Sequence, residues 1–346
     1  MADPDLSEFN DALTLSELRK ANATLARQLG ASKIKTAELT AAVKEAVTIA
    51  ISTLEIPPVT PPVHDKRRRD GEVAVAVLSD WQLAKKTPTY SSEVCEQRIE
   101  LYADKVIKLT EIQRADHPVR ELRVYLLGDI VEGELIFPGQ AHLTDASLYQ
   151  QVCVDGPRIL ANFVRRMLSY FEKVHVVGVI GNHGAIGGRA RRDYHPESNA
   201  DAMLMEITRQ LLASESRLTW APNSTSGERH WYATDTIGDH TFFMAHGDQV
   251  RGGFAGLPWY GFYKKILGWR TSGIIPEFDY ALTAHYHTPV RMYLNGVTLW
   301  GNGSTESYNT YALENLAASG EPCQWLLFCS PRRGVSAEYL VHLDKR

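Results

Sequence analysis

The stretch that most restricts what this chain can fold into is Val174-His175-Val176-Val177-Gly178-Val179-Ile180, which runs straight into Gly181-Asn182-His183-Gly184. A β-branched apolar run bounded by glycines is the pattern of a buried strand, expected over Val174 to Ile180. The glycine turn then delivers Asn182 and His183 to the carboxyl end of that strand, where open α/β sheets place their sites. Asn182 offers a neutral oxygen ligand and His183 a proton. Gly-Asn is also an ordinary turn dipeptide, so the weight comes from repetition. Val73 to Ser79 precedes Asp80, Leu122 to Leu127 precedes Gly128-Asp129, and Thr241 to Ala245 precedes His246. The short apolar segment Tyr280 to Ala284 leads into His285-Tyr286-His287. Five strand ends carrying Asp, Asp, Asn, His and a His pair have the chemistry of a two-metal site.

The ordered blocks Asp80, Gly128-Asp129, Gly181-Asn182-His183, His246-Gly247-Asp248 and His285-Tyr286-His287 resemble the calcineurin-like metallophosphoesterase superfamily over residues 72–302. A closer likeness lies in Gly128-Asp129-Ile130-Val131-Glu132-Gly133 with Phe137-Pro138-Gly139-Gln140. That stretch is similar to the proofreading nuclease (small) subunit of archaeal D-family DNA polymerases and to calcineurin-like proteins of tailed phages. The resemblance implies an α/β (α+β) four-layer αββα sandwich. It also implies two divalent ions, manganese first, with iron, zinc or magnesium as alternatives. Asp129 would bridge both ions; one would take Asp80 and His287, the other Asn182, His246 and His285. Next to a ligand yet free of the metals, His183 would protonate the leaving oxygen or stabilise developing charge. Three departures stand out. The family reads Asp-x-His at the first block, whereas position 82 is Gln, which coordinates only through its amide oxygen. Gln82 therefore either binds that ion weakly or orients the bridging water. Gly184 replaces a frequent acid and Ala284 a usual glycine, neither of them a ligand.

The 346 residues suffice for one large domain with an appendage. Residues 1–55 read as a helical, coiled-coil-like extension, 56–71 as a proline-rich basic linker and 72–346 as the calcineurin-like domain. Leu18, Leu25, Leu29, Leu39, Val43, Val47 and Ile51 give the extension its helical spacing, broken at Gly30 and Ser32. It serves either as a homo-oligomerising or docked helix or as an arm for a partner protein. In the linker, Lys66-Arg67-Arg68-Arg69 is either a solvated boundary or a phosphate contact. A net charge of −4 excludes a global basic field, so nucleic acid must be met by a local patch or by the metals. Cys95, Cys153, Cys323 and Cys329 lack Cys-x-x-Cys spacing and read as reduced, buried thiols. The start of the chain has no apolar signal core, and no run has the length of a membrane span. The expectation is a cytoplasmic protein with no membrane contact, in the bacterial host if phage-encoded.

Between the blocks, a helix is expected near Ser91-Ser92, with Ser92 as N-cap and Val94, Ile99, Val106, Leu109 and Ile112 on one face. A loop carrying Gln140 and His142 leads to a helical region over Asp145 to Glu172, bent at Gly156-Pro157, and Gln140 and His142 are candidate substrate or supporting contacts. Arg189, Arg191 and Arg192 in a glycine-rich loop match phosphate bidentately; the alternative is a loop charged for solubility. A further helix is expected over Ser198 to Ser214. Arg251 to Gly261, rich in Gly and aromatics, either stacks bases or packs beneath the site. Asn295-Gly296 marks a hairpin. Strands over Gln324 to Cys329 and Val335 to Leu343 are expected to form a second sheet. The function these readings favour is a metal-dependent phosphodiesterase acting on DNA, an exonuclease or endonuclease of phage or prophage replication or repair. The alternatives are a phosphatase or phosphodiesterase of small nucleotides, and a scaffold subunit of a replication complex whose catalysis has weakened.

Overall fold

Alternation of Val with Ala in Glu72–Leu78 builds the first strand, β1. Val73, Val75 and Val77 turn to one face and join the main apolar cluster, while Ala74, Ala76 and Leu78, also buried, turn to the other. The computed structural model describes Arg27 and residues 57–67, 70–187, 194–195, 198–221, 231–251, 257–307 and 320–344. The chain divides into two units, Met1–Ser52 and Thr53–Arg346. The helical pattern expected before residue 56 lies outside the described residues, apart from Arg27.

Within the second unit, the described elements run β1, α1 (Ser92–Arg114), β2 (Val119–Leu126), α2 (Gly156–Leu168), β3 (Lys173–Gly178), α3 (Ala200–Leu211) and β4 (Leu218–Trp220). They continue through β5 (Tyr232–Ile237), β6 (His240–Ala245), α4 (Trp259–Arg270), β7 (Tyr280–Thr283), β8 (Val290–Leu294), β9 (Val297–Gly301), β10 (Cys323–Ser330) and β11 (Gly334–His342). One sheet has the order β11-β10-β1-β2-β3-β4, with β1 to β4 parallel and β10 antiparallel to β1. The other has the order β5-β6-β7-β9-β8, with β6, β7 and β9 parallel. The core lies between them: Val75, Val77, Tyr125 and Val177 meet Phe242, Met244, Leu282 and Trp300. Each such side chain contributes about 1.5–3 kcal/mol on burial. On the far side of the second sheet, Phe243, Ala281 and Leu299 pack with Phe262 and Ile266 of α4. Tyr102 of α1 donates to Trp325 O and accepts from Val77 N–H, which ties the outer helix layer to the first sheet. These layers form the expected αββα sandwich.

Several local expectations are corrected. The last two strands do not make the second sheet; they extend the first, because β1 would otherwise be an edge, and every residue of β10 is buried there. Ser91, not Ser92, caps α1, its Oγ accepting from Val94 N–H at 3.3 Å, while Ser92 Oγ donates to Asp145. The buried face of α1 is Cys95, Ile99, Tyr102, Ala103, Val106 and Thr110, and Ile112 is exposed. In place of one helix over Asp145 to Glu172, a turn at Leu148–Gln150 passes into a π-helical stretch, Gln151–Asp155, and then into α2. The widened stretch lies just before Gly156-Pro157, since Pro157 has no N–H to continue an α ladder. The helix expected over Ser198 to Ser214 spans Ala200–Leu211.

The segment at 57–67 is extended and strapped down: Arg165 donates to Pro57 O, Arg217 to Val59 O, and Glu172 accepts from Asp65 N–H. Arg67 is engaged by Asp65 and by the carbonyls of Arg114 and His117, so its guanidinium serves the fold; Arg68 and Arg69 lie outside the described residues. All four cysteines are free thiols, with Cys95, Cys323 and Cys329 buried and Cys153 half-buried. Among the described residues no helix is long and apolar enough to cross a membrane.

Candidate metal centre

Because β1, β2 and β3 are parallel neighbours, their carboxyl ends open on one edge, and β6 and β7 do the same in the other sheet. That shared edge gathers Asp80, Asp129, Asn182, His246, His285 and His287 from five separate loops. The backbone there is unusual. Asp80, Gln82, Ala84, Asp129, His285 and His287 all have positive φ, between 44° and 81°; among the described residues Asn295 is the one other non-glycine that does. Each such conformation costs about 1–3 kcal/mol, and clusters of them mark working sites. The loops also approach closely: a Cβ on Gly128 would lie 2.4 Å from Gly181 N, and one on Gly181 only 2.0 Å from Asp129 Oδ1.

A residue with no part in the sequence reading, Asp201, fixes this crossing. It is fully buried in the first turn of α3 and accepts from the N–H groups of Asp129 (2.9 Å), Ile130 (3.0 Å), Val131 (3.3 Å) and Gly181 (2.9 Å). Asn199 caps α3 by accepting from Asp201 N–H and donates to Gly181 O.

Around Asp129, the donor atoms of Asp129, His246 and His285 lie within 4.8 Å of one another. His246 Nδ1 donates to Leu127 O at 2.7 Å. Its Nε2 consequently faces Asp129 Oδ2 at 3.0 Å and Asn182 Oδ1 at 3.2 Å. The second group is smaller. Asp80 Oδ1 lies 3.2 Å from His287 Nε2 yet is buried without a hydrogen bond, while Asp80 Oδ2 accepts from Ser79 Oγ and His285 N–H. Gln82 sits beside His287, with its oxygen turned to Lys85. Converging oxygen and imidazole donors with an orphaned carboxylate oxygen fit divalent ions of borderline character, Mn²⁺, Fe²⁺ or Zn²⁺.

Charge in this pocket is concentrated. Burial alone would raise Asp129, but the imidazoles of His246 and His183 hold it well below the usual carboxylate range. Burial opposes protonation of His246, and the Asp129 carboxylate overrides it, to about 10. His285 is pushed down to about 4 by burial and by His246. A cation in the pocket would replace protons that the metal-free site must hold.

His183 stands beside the ligands. Its N–H donates to Asp129 Oδ1 at 2.8 Å, and its Nδ1 lies 3.0 Å from Glu132 O and 3.3 Å from Glu132 Oε2. Nε2 is thus the nitrogen it can offer a substrate. Burial disfavours its charged form, but Asp129 and Glu132 raise it to about 9. Gln140 is fully buried and donates to both Glu132 O and Glu132 Oε1, so its place is to hold Glu132. His142 is exposed, and no side-chain hydrogen bond among the described residues joins it to the ligands. Arg189, Arg191 and Arg192 lie outside the described residues. In the segment Arg251 to Gly261, Leu257 is buried in the cluster behind the second sheet, Trp259 and Tyr260 are exposed, and residues 252–256 lie outside the described residues. Besides Asp201, the sequence reading gave no role to Glu132, Lys85 or Glu306, although Glu132 stood inside a quoted motif.

No protein-family profile matches the chain, and no curated protein matches it. Solved structures do. An archaeal phosphodiesterase aligns at 12% identity over 78% of this chain and 99% of its own, with a TM-score of 0.36. Vacuolar protein sorting 29 from Cryptosporidium parvum aligns at 15% over 80% and 94%, TM-score 0.39. Zinc-bound Vps29 from Entamoeba histolytica aligns at 13% over 78% and 99%, TM-score 0.31.

Proposed function

We propose that the protein is a metal-dependent phosphoesterase, and within that class a phosphodiesterase that cleaves DNA as a nuclease in phage or prophage replication or repair. The observation that carries the chemistry is the gathering of Asp80, Asp129, Asn182, His246, His285 and His287 at one sheet edge, with His183 alongside. Divalent ions held there would supply an activated water and neutralise phosphoryl oxygens. Asp129 faces His246 and His285. Leu127 O holds His246 in the tautomer that presents Nε2. His183, whose Nδ1 faces Glu132, is placed to give its Nε2 proton to the leaving oxygen. What favours a polynucleotide over a small nucleotide is helix α4. Phe262 of α4 packs on Tyr286, between the two site histidines, and the same helix exposes Trp259, Tyr260 and Tyr263 with Lys264 and Lys265. Exposed rings interleaved with cations suit stacked bases and phosphates.

The test is hydrolysis of bis-p-nitrophenyl phosphate and of end-labelled single- and double-stranded DNA with Mn²⁺, Mg²⁺ or chelator, beside Asp129→Ala. Mn²⁺-dependent DNA cleavage absent from the variant is the expected result. Diester hydrolysis without DNA cleavage would redirect the reading to small nucleotides, and no hydrolysis under any metal would leave the scaffold reading.

A further inference from the structure

We infer that the two ion positions are unequal, and that Lys85 makes them so by holding the Gln82 amide turned away from coordination. The inference rests on the metal-dependent reading above. A glutamine ligates a hard cation only through Oε1. Here that oxygen accepts from Lys85 Nζ at 3.0 Å, and an ammonium, having donors alone, fixes which end of the amide faces it. The same Lys85 Nζ lies 2.8 Å from Glu306 Oε2, both side chains being largely buried. The Gln82 NH₂ is thereby directed at His287 Nε2, 3.2 Å away, and His287 Nδ1 lies 3.5 Å from Glu306 Oε2. The four side chains close a ring, and turning the amide over would set an NH₂ against a buried ammonium. The position beside Asp80 is therefore left with Asp80, and with His287 only when its Nε2 gives up the Gln82 NH₂, next to a fixed cation. Its neighbour has Asp129, Asn182, His246 and His285. One ion is held tightly, and the second binds only at higher concentration.

The experiment is Mn²⁺ binding to the metal-free full chain, with free Mn²⁺ counted by electron paramagnetic resonance and retained metal measured after gel filtration. Close to one ion per chain should survive filtration, with the second dissociation constant weaker by about tenfold or more, as for sites that lack a supporting partner. Replacing the charged pair together, Lys85→Met with Glu306→Gln, frees the Gln82 oxygen and should tighten the second constant by about tenfold. Gln82→His should retain two ions and give an exchange-coupled Mn–Mn spectrum. Two wild-type ions with constants within about threefold of each other would overturn the inference. So would an unchanged second constant in a double variant that unfolds at the wild-type temperature. No ion at either position would instead bring down the metal-dependent reading itself.

Discussion

Asp129 and Asp80 follow neighbouring parallel strands and share a left-handed backbone, with φ of 52° and 48°, yet their surroundings differ in kind. Asp129 is set by main chain: Asp201 collects the N–H groups of its loop, and Gly181 lets the two turns touch. Asp80 takes Ser79 Oγ and the His285 N–H on its carboxylate, and the His287 ring beside it faces the Lys85–Glu306 pair. A site braced by backbone admits few alternatives. On the Asp80 side, Gln82 and His287 are held by the long side chains of Lys85 and Glu306, which can be retuned by substitution.

The sharpest way to break this contrast is to exchange the carboxylates. Asp129→Ala should lower kcat/KM by about 10³-fold or more, the several kcal/mol that metal assistance supplies, and abolish tight Mn²⁺ retention. Asp80→Asn should cost activity yet leave one ion bound; equal loss of metal in both variants would erase the distinction. Asp201→Ala leaves four backbone donors without their shared acceptor and should destabilise the fold by about 3 kcal/mol or more in denaturant unfolding. A change within error would mean the crossing is held by something else. His183→Gln should reduce kcat by about 10²-fold with metal content unchanged, as expected of a proton donor that is not a ligand. The smallest effect is on pH dependence. Raised to about 9 and about 10, His183 and His246 stabilise the metal-free fold fully below their unfolded value of 6.5 and progressively less as pH rises through 9 to 10. The melting temperature in chelator should fall across that window. Binding of Mn²⁺ near pH 8 should release protons, seen as a buffer-dependent heat.

How much of this the sequence carried depends on distance along the chain. Each candidate block was legible because a strand and its turn are contiguous: Leu122 to Asp129 and Val174 to Asn182 are strand, glycine and a polar donor in one stretch. The Asn295-Gly296 hairpin was legible for the same reason, and both residues take the positive φ that such a turn demands. Sheet membership was not, because the apolar run of β10 and the alternation in β11 mark them as strands but not which strand they pair with. Asp201 reads as an ordinary first-turn acid, since its four donors come from loops remote in sequence. Lys85 and Glu306 look like solvated charges until the fold brings them together.

Candidate ligands drawn from two sheets make the site a gauge of how the sheets are seated. Asp129 rides on the first sheet and His246 on the second, and the 3.0 Å between their donor atoms is set by the thickness of the apolar layer beneath, where Tyr125 meets Phe242. A substitution deep in that layer, touching no ligand, would shift one sheet against the other and register at the edge as a misplaced donor. A displacement near 1 Å can cost about 10²-fold in rate. The interior packing is in that sense the calibration of the site, and variants selected only for stability in the core would drift out of tune.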